Sequence, residues 1–385
     1  MNRVPVVSQD GKQLMPTQAS RARKWVESGR AVGKWSDLGI YYVQLLEEPS
    51  GTETQPVAVG LDPGKSYSGV GVQSAQCTLL QLHLILPFGR VRARMDQRRL
   101  LRRGRRSRRI NRDLPFKWRN HRQKRFDNRR GNKLAPSIRA SRQLEIRVVK
   151  EIAAIYPVVA IGYEKVRADV DLTSGRKGAR SGKGFSPVMV GQRWAISELE
   201  KIAPVYVREG WQKDGNGTSQ LRTALGLVKD KQNKSEAKPE THSVDGVALA
   251  CGDFIQYRSF HQGRNHGHAW FGQVQPTESL FKIITRPGAV KRGKEYGVFR
   301  RQLHFEVPSK SGVRRRKGGT VTPWGFRIGD LARSSKGKTE SIGYIGGYSE
   351  ANKVVSLYDW QWKRIGQFSV SKTTLIRRSN GLCVA

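Results

Sequence analysis

Apolar positions along the chain fall into runs of two different periods. Residues 57–62 and 68–72 are short apolar runs on either side of Pro63-Gly64, and they predict a pair of strands joined by a turn. Residues 158–164 open after Pro157 and predict another short buried strand. Residues 138–156 repeat their apolar side chains at helical spacing, and residues 242–256 do the same. Near the start, Leu14-Met15-Pro16 predicts a turn, followed by a short basic helix capped by Thr17 and stopped at Gly29. Residues 174–184, rich in Gly, Ser and basic side chains, and 230–239, rich in Lys and other polar residues, predict exposed loops. Beyond Gln256 the helical period is lost. Glycine, aromatics and alternating runs at 341–348, 354–362 and 366–370 take its place, with 324–328 as a further inward-facing stretch, and together they predict a small β barrel.

Charge changes this picture. The 385 residues hold 71 Lys and Arg against 31 Asp and Glu, a formal charge of +40. A compact chain so charged repels itself, and a polyanion that neutralises it while releasing counterions is the first partner to expect. An ordinary metabolic enzyme is not. Cys77, Cys251 and Cys383 lie far apart and form no CxxC pair, so neither a disulfide framework nor a zinc ribbon is predicted, and a reducing compartment fits. The first ten residues have no apolar run suited to a signal peptide, and the most apolar stretch, 77–88, is interrupted by Gln81 and His83. The expectation is a soluble cytoplasmic protein without membrane contact.

Acidic residues are scarce, which draws attention to those at the ends of apolar runs. Asp62 closes the first strand and Glu164 closes the strand at 158–164. Asp245 follows His242 by three positions, a spacing that puts both on one face of a helix. Taken singly, each is better explained by a cap or a solvated charge. Together, carboxylates gathered at strand ends and a helix start form the oxygen-rich set that a pair of divalent cations needs, and two such ions activate a water and stabilise the leaving oxygen of a phosphodiester.

These motifs resemble a known family in both kind and order. Leu61-Asp62-Pro63-Gly64 with Ser68-Gly69-Val70-Gly71 is similar to the first motif of RuvC-type nucleases of the ribonuclease H-like fold. Gly162-Tyr163-Glu164-Lys165 is similar to the second and Thr241-His242-Ser243-Val244-Asp245-Gly246 to the third. Gln13-Leu14-Met15-Pro16, followed by Arg21-Ala22-Arg23-Lys24 and Ser28-Gly29-Arg30-Ala31, resembles the N-terminal PLMP domain of the transposon-encoded IscB proteins, with Gln13 where that family usually has proline. IscB proteins carry a His-Asn-His nuclease domain between the second and third motifs. Here residues 165–241 contain neither histidine nor cysteine, so the resemblance narrows to IsrB, the relative with a RuvC site alone. A TnpB-like reading is weakened because the four-cysteine ribbon expected near the third motif is missing and Cys251 stands alone there.

Between residues 90 and 130 basic residues outnumber acidic ones about six to one. Arg98, Arg102, Arg105, Arg109 and Arg112 are spaced to form one stripe on a helix expected over 92–112, and Arg99, Arg103 and Arg106 form a second stripe beside it. Like charges at this spacing destabilise an isolated helix, so phosphates are its natural counterpart. Its place after the first motif matches the arginine-rich bridge helix of the family, which the resemblance implies contacts guide RNA and heteroduplex. Phe116, Trp118 and Phe126 continue the segment; stacking on bases is one reading and packing in the core the expected one. Arg314-Arg315-Arg316-Lys317 is a candidate phosphate clamp, or equally a solvated loop, and His261, His266 and His268 are expected on a mobile polar loop.

The resemblance therefore implies an α/β protein with a ribonuclease H-like (RuvC) core, an inserted arginine-rich bridge helix, an N-terminal PLMP segment and a mainly β C-terminal domain. Its parts are expected at 1–54 (PLMP), 55–89 (first RuvC part), 90–130 (bridge helix), 131–256 (second and third RuvC parts) and 257–385 (guide RNA and target-adjacent motif). The implied activity is RNA-guided DNA cleavage, directed by an omega RNA against duplex DNA with a short flanking motif. Asp62, Glu164 and Asp245 would hold two Mg²⁺ ions, with Mn²⁺ as a possible substitute, and His242 would activate or position water. A single site implies a nick in the displaced strand by a monomeric protein in a ribonucleoprotein. Two other readings stay open: sequential double-strand cutting by the lone site, and a non-catalytic nucleic-acid-binding transposon regulator.

Overall fold

The computed structural model describes residues 3–107, 110–118, 134–166, 187–215, 217–292, 295–296, 305–307, 315–317 and 321–385. The chain begins with strands β1 (Arg3–Val7) and β2 (Gln13–Gln18), helix α1 (Ala19–Glu27), and strands β3 (Ala31–Trp35) and β4 (Tyr41–Leu45). These strands form a four-stranded sheet in the order β2-β1-β4-β3. The turn expected at Leu14-Met15-Pro16 is instead part of β2. It lies at the sheet edge beside a bulge in its pairing with β1, where proline's missing N–H breaks no ladder. The helix starts after Gln18 rather than Thr17, and Gly29 ends the turn beyond it with φ +72°.

The centre of the molecule is a seven-stranded mixed sheet. β5 (Val57–Pro63), β6 (Tyr67–Ser74) and β7 (Thr78–Ile85) are antiparallel neighbours, while β8 (Val158–Glu164) and β9 (Val205–Arg208) extend the sheet from β5 in parallel. Between β7 and β8 run α2 (Phe88–Ser107) and α3 (Pro136–Ala153), and between β8 and β9 runs α4 (Pro187–Leu199). After β9 come α5 (Thr218–Ala224), a short π-helical turn (Pro239–Ser243) and α6 (Val244–Cys251). The helix expected over 242–256 is therefore shorter. It ends at Cys251, and Ile255 already begins β10 (Ile255–Gln262), which pairs with β11 (Asn265–Gly272) as a two-stranded ribbon.

Period-two alternation gives the central sheet two unlike faces. Val57, Val59 and Leu61 on β5, opposite Val72 and Val70 on β6, pack with Leu144, Val148 and Ile152 of α3 in the main core. The intervening positions are small or polar: Ala58, Gly60 and Asp62 on β5, Gly69 and Gly71 on β6, Gln81 and His83 on β7, and Ala160, Gly162 and Glu164 on β8. Helix α6 lies on this second face at backbone contact. A Cβ placed on Gly246 would come within 2.5 Å of the Gly71 nitrogen, and one on Gly162 within 2.7 Å of the Leu249 carbonyl oxygen. A Cβ on Gly60 would overlap the carbonyl of Gly246, and one on Gly69 that of His242.

The C-terminal half returns to this sheet. β12 (Leu280–Thr285) pairs in parallel with β7, so the boundary expected near residue 257 does not separate the C-terminal region from the sheet. β13 (Lys291–Arg292) pairs with β14 (Glu295–Tyr296), and β15 (Phe305–Val307) with β16 (Arg315–Lys317). A five-stranded antiparallel sheet follows, made of β17 (Leu331–Lys336), β18 (Thr339–Ser349), β19 (Val354–Tyr358), β20 (Arg364–Ser369) and β21 (Thr373–Arg377) in the order β20-β19-β18-β17-β21. Its two edge strands are not paired with each other, so its hydrogen-bond ladders do not close into the expected barrel. Phe326, Ile345, Val355 and Phe368 fill its core. Finally β22 (Cys383–Val384) pairs with β12 at the edge of the central sheet. No helix among the described residues is long and apolar enough to cross a membrane.

Because Gly71 meets backbone rather than a yielding side chain, Gly71→Ala is expected to destabilise the protein by about 1–3 kcal/mol or more. Gly104→Ala, on α2 with open space around the added methyl, is expected to bring no such loss. Urea denaturation of the two variants checks the contrast.

Candidate active site

The polar ends of the second sheet face meet the start of α6. Asp62 and Glu164 stand at the ends of neighbouring parallel strands and face the helix, whose first turn carries Asp245. Burial, then the negative charges of Glu164 and Asp245, hold the Asp62 carboxyl well above the usual carboxylate range. Glu164 is raised too, by burial first and by Asp245 second. Three residues separated by up to 183 positions thus act on one another electrostatically, as expected of a site poised for positive charge.

Part of that positive charge comes from the protein. Arg222 on α5 and Lys229 in the following loop each form an ion pair with the Asp245 carboxylate, one on each oxygen. Both cations, with Glu164 and Asp245, line an open cleft of about 420 Å³. Among the described residues, no three His, Cys, Asp or Glu side chains are gathered closely enough to hold a metal ion. The donor chemistry nonetheless suits a hard divalent cation: three carboxylates, two of them pushed toward protonation by burial and mutual repulsion, gain from an added positive charge.

His242 sits in the π-helical turn before α6 rather than on the helix itself. Its ring stacks on Tyr67 at 5.4 Å between centroids and meets His83 edge-on at 5.3 Å, while Nε2 lies 2.9 Å from the Lys234 carbonyl oxygen. Burial is the main cause that lowers its pKa, and the Lys234 carbonyl opposes the shift. The loop that supplies this carbonyl is itself organised. Asp230 accepts from the backbone of Gln232 and Asn233 and pairs with Lys238 at 2.9 Å.

Behind Asp62 lies a clamp that the sequence reading did not single out. Glu145 of α3 is fully buried. It accepts hydrogen bonds from Arg142 at 2.7 and 3.0 Å and from the Ser68 hydroxyl at 2.6 Å. Arg142 also donates to the Gly64 carbonyl at 2.7 Å, and the Gly64 N–H donates to Ser68 at 3.1 Å. The Asp62-Pro63-Gly64 corner is thereby tied to α3 by a charge-assisted network. Glu145 and Arg142 at i, i+3 inside an apolar helix were the available signal. Arg222 and Lys229 gave none, since neither lies near a motif.

The arginine segment forms a helix at its start. α2 ends at Ser107, so Arg112 lies beyond it, and Arg109 falls outside the described residues. Arg98, Arg99, Arg102 and Arg103 are exposed, Arg99 pairing with Asp96 at 3.2 Å, while Arg105 and Arg106 belong to the helix by backbone. Buried Arg90 anchors the root of α2 by donating to the Pro287 carbonyl. Phe116 and Trp118, expected in the core, are 73% and 68% exposed, because the segment that carries them runs outside the sheet packing; Phe126 lies outside the described residues. The exposed loop expected at 174–184 and Arg314 also lie outside them.

A family model described as RRXRR protein matches residues 4–184, a span that runs from β1 past Asp62, α2 and Glu164. Among solved structures, Thermus thermophilus RuvC in complex with a Holliday junction substrate is similar at 14% identity and a TM-score of 0.25, over 51% of this chain and 92% of that one. A second Thermus thermophilus RuvC structure gives 14% identity and a TM-score of 0.22 over the same shares. A search of curated proteins gave no match.

The imidazole of His83 supplies a pH test of the site's packing. Burial, followed by the nearby His242, pulls its pKa from 6.5 to about 4, and its Nε2 has no hydrogen-bond partner among the described residues. Because the folded pKa is depressed, the neutral ring's contribution is present above pH 6.5 and is lost as pH falls through about 4, a span worth roughly 3 kcal/mol. His83→Leu is expected to remove that part of the acid sensitivity, because Thr241 keeps its bonds to the carbonyls of Glu236 and Lys238. Denaturant titrations between pH 4 and 7 measure it.

Proposed function

We propose that the protein is an RNA-guided DNA endonuclease of the IsrB type, with one RuvC-like site that nicks the displaced strand. The observation that carries this reading is the meeting of Asp62, Glu164 and Asp245 on the glycine-lined sheet face, in a chain of charge +40. The order of the three motifs and the RRXRR match across the first two support it. Residues 1–54, 55–89, 90–130 and 131–256 are given the roles that the resemblance implies; within 257–385, β12 and β22 belong to the central sheet, and the guide RNA and flanking-motif roles are assigned to the rest.

In this reading Asp62, Glu164 and Asp245 hold Mg²⁺, which when bound supplies Lewis-acid activation of water and stabilises the leaving oxygen. The chain's own residues set the rest. The Arg142–Glu145 clamp fixes the turn that follows Asp62. Arg222 and Lys229 pair with the two oxygens of Asp245 and line the cleft where a phosphate would lie. His242, held by Tyr67 and by the Lys234 carbonyl at Nε2, would position water or take its proton. The exposed arginines of α2 meet guide RNA, base pairing supplies target specificity, and the C-terminal region reads the flanking motif.

A second reading has its own observation. Among the described residues no metal-ligating triad is assembled and Asp245 is already paired by two cations, as in a nucleic-acid-binding protein that does not cut. Supercoiled plasmid incubated with the ribonucleoprotein and Mg²⁺ separates the possibilities. Open-circle product is expected, linear product would mean cutting of both strands, and unchanged plasmid would favour the non-catalytic reading. Asp62→Ala is expected to abolish nicking and a Mg²⁺-induced thermal shift while RNA binding is retained. Undiminished cleavage by that variant removes the site assignment.

A further inference from the structure

The β10–β11 ribbon follows directly from the helix that bears Asp245, and it replaces the mobile loop expected around its histidines. Its eight cross-strand pairs run unbroken from Ile255↔Gly272 to Gln262↔Asn265. At about 3.4 Å per residue, each strand spans roughly 27 Å. The register places Tyr257 opposite Trp270, Ser259 opposite His268 and His261 opposite His266, so five rings share one face with a single small residue among them.

These rings are ordered against one another. Tyr257 and His268 are parallel to within 11° at 5.1 Å between centroids, Tyr257 and Trp270 are 5.1 Å apart at 51°, and His261 and His266 meet edge-on at 4.6 Å. Trp270, at the root, packs beside Leu221 and Ala248, which anchors the ladder. Beyond the root the ribbon is mostly exposed. An aromatic ladder held away from the core serves no packing purpose that smaller residues would not.

Charge identifies what it suits. No Asp or Glu occurs from residue 254 to residue 277, exposed Arg264 sits in the turn at the ribbon's tip, and exposed Arg258 lies on the face opposite the rings. Rings with cations and without acids match nucleobases on a phosphate backbone, and stacking accepts any base. A metal reading of the histidines lacks a third donor among the described residues. The ladder's position selects the strand: α5 carries Leu221, against which Trp270 packs, and the adjacent Arg222, which pairs with Asp245. The root of the ladder and the carboxylate cleft thus share one short helix.

We propose that the ring face of the β10–β11 ribbon is a stacking platform for single-stranded DNA leading to or from the carboxylate cleft. This rests on the nuclease reading for the identity of the strand, and on the ribbon's own geometry for the stacking. The test uses the full-length protein in EDTA, so that nothing is cut, with a thymidine-rich single-stranded DNA carrying one 2-aminopurine at successive positions. Salt is set high enough to suppress phosphate contacts. Quenching of 2-aminopurine is expected at one or two positions. Tyr257→Leu with His268→Leu is expected to abolish the quenching and weaken binding roughly tenfold or more. His261→Leu with His266→Leu, at the exposed tip where folding is not at stake, is expected to lower it in the same direction.

Unchanged quenching and affinity in both double variants overturns the proposal. So does an equal loss on duplex DNA, which would mean a charge effect, or tighter binding and stronger quenching with RNA of the same sequence, which would assign the face to RNA. Plasmid nicking is scored separately. Absent nicking with variant-sensitive quenching defeats the nuclease reading alone, and intact nicking with variant-insensitive quenching defeats the platform alone.

Discussion

The close approach of α6 to the backbone of β5, β6 and β8 is the constraint on which the rest depends. Gly60, Gly69, Gly71 and Gly162 on the sheet and Gly246 on the helix leave no room for a single methyl group. Asp245 is thereby brought down to the level of Asp62 and Glu164, whose pKa values are raised by burial first and by their acidic neighbours second. A conventional helix-on-sheet contact, spaced by Val and Leu as on the α3 face, would hold the helix several ångströms further out and leave the carboxylates apart. The same close contact sets the His242 carbonyl against Gly69 and thereby fixes the turn from which that ring projects.

The energetics of the corner rest on opposed charges in a dry place. Glu145 and Arg142 are both almost wholly buried, and each is tolerated because it pairs with the other, Arg142 also donating to the Gly64 carbonyl and Glu145 accepting from the Ser68 hydroxyl. Asp245 depends in a similar way on Arg222 and Lys229. Removing Arg142 or Glu145 would leave a buried charge without its counterpart, a loss greater than that of the ion pair itself, whereas Asp245 would keep one cation if the other were removed.

Much of this was legible in the chain. Asp62 and Glu164 were visible because each closes a short apolar run, and the strands at β5, β6 and β8 fall where alternation and the Pro63-Gly64 and Pro157 breaks put them. Other features depend on partners distant in sequence. Leu14-Met15-Pro16 reads as a turn unless one knows that it lies at a sheet edge. Nothing local marks β12 and β22 as members of the central sheet, since their pairing is with residues some 200 and 100 positions away. Arg222 and Lys229 lie in unremarkable basic surroundings and gain meaning only from Asp245. The histidines at 261, 266 and 268 looked like a loop because the ring ladder arises from cross-strand register, not from spacing along one strand.

The passage from β7 to β8 holds one further lesson. The chain leaves the sheet at Leu86, is pinned at once by Arg90 to the Pro287 carbonyl, and returns through α3, which packs on α2 and on the sheet core. Both ends of the arginine-rich excursion are therefore anchored independently of what lies between them. Doubling the length of such a closed loop adds only about 0.6 kcal/mol of chain entropy. Changes in the length of the excursion would therefore cost the register of the carboxylates little.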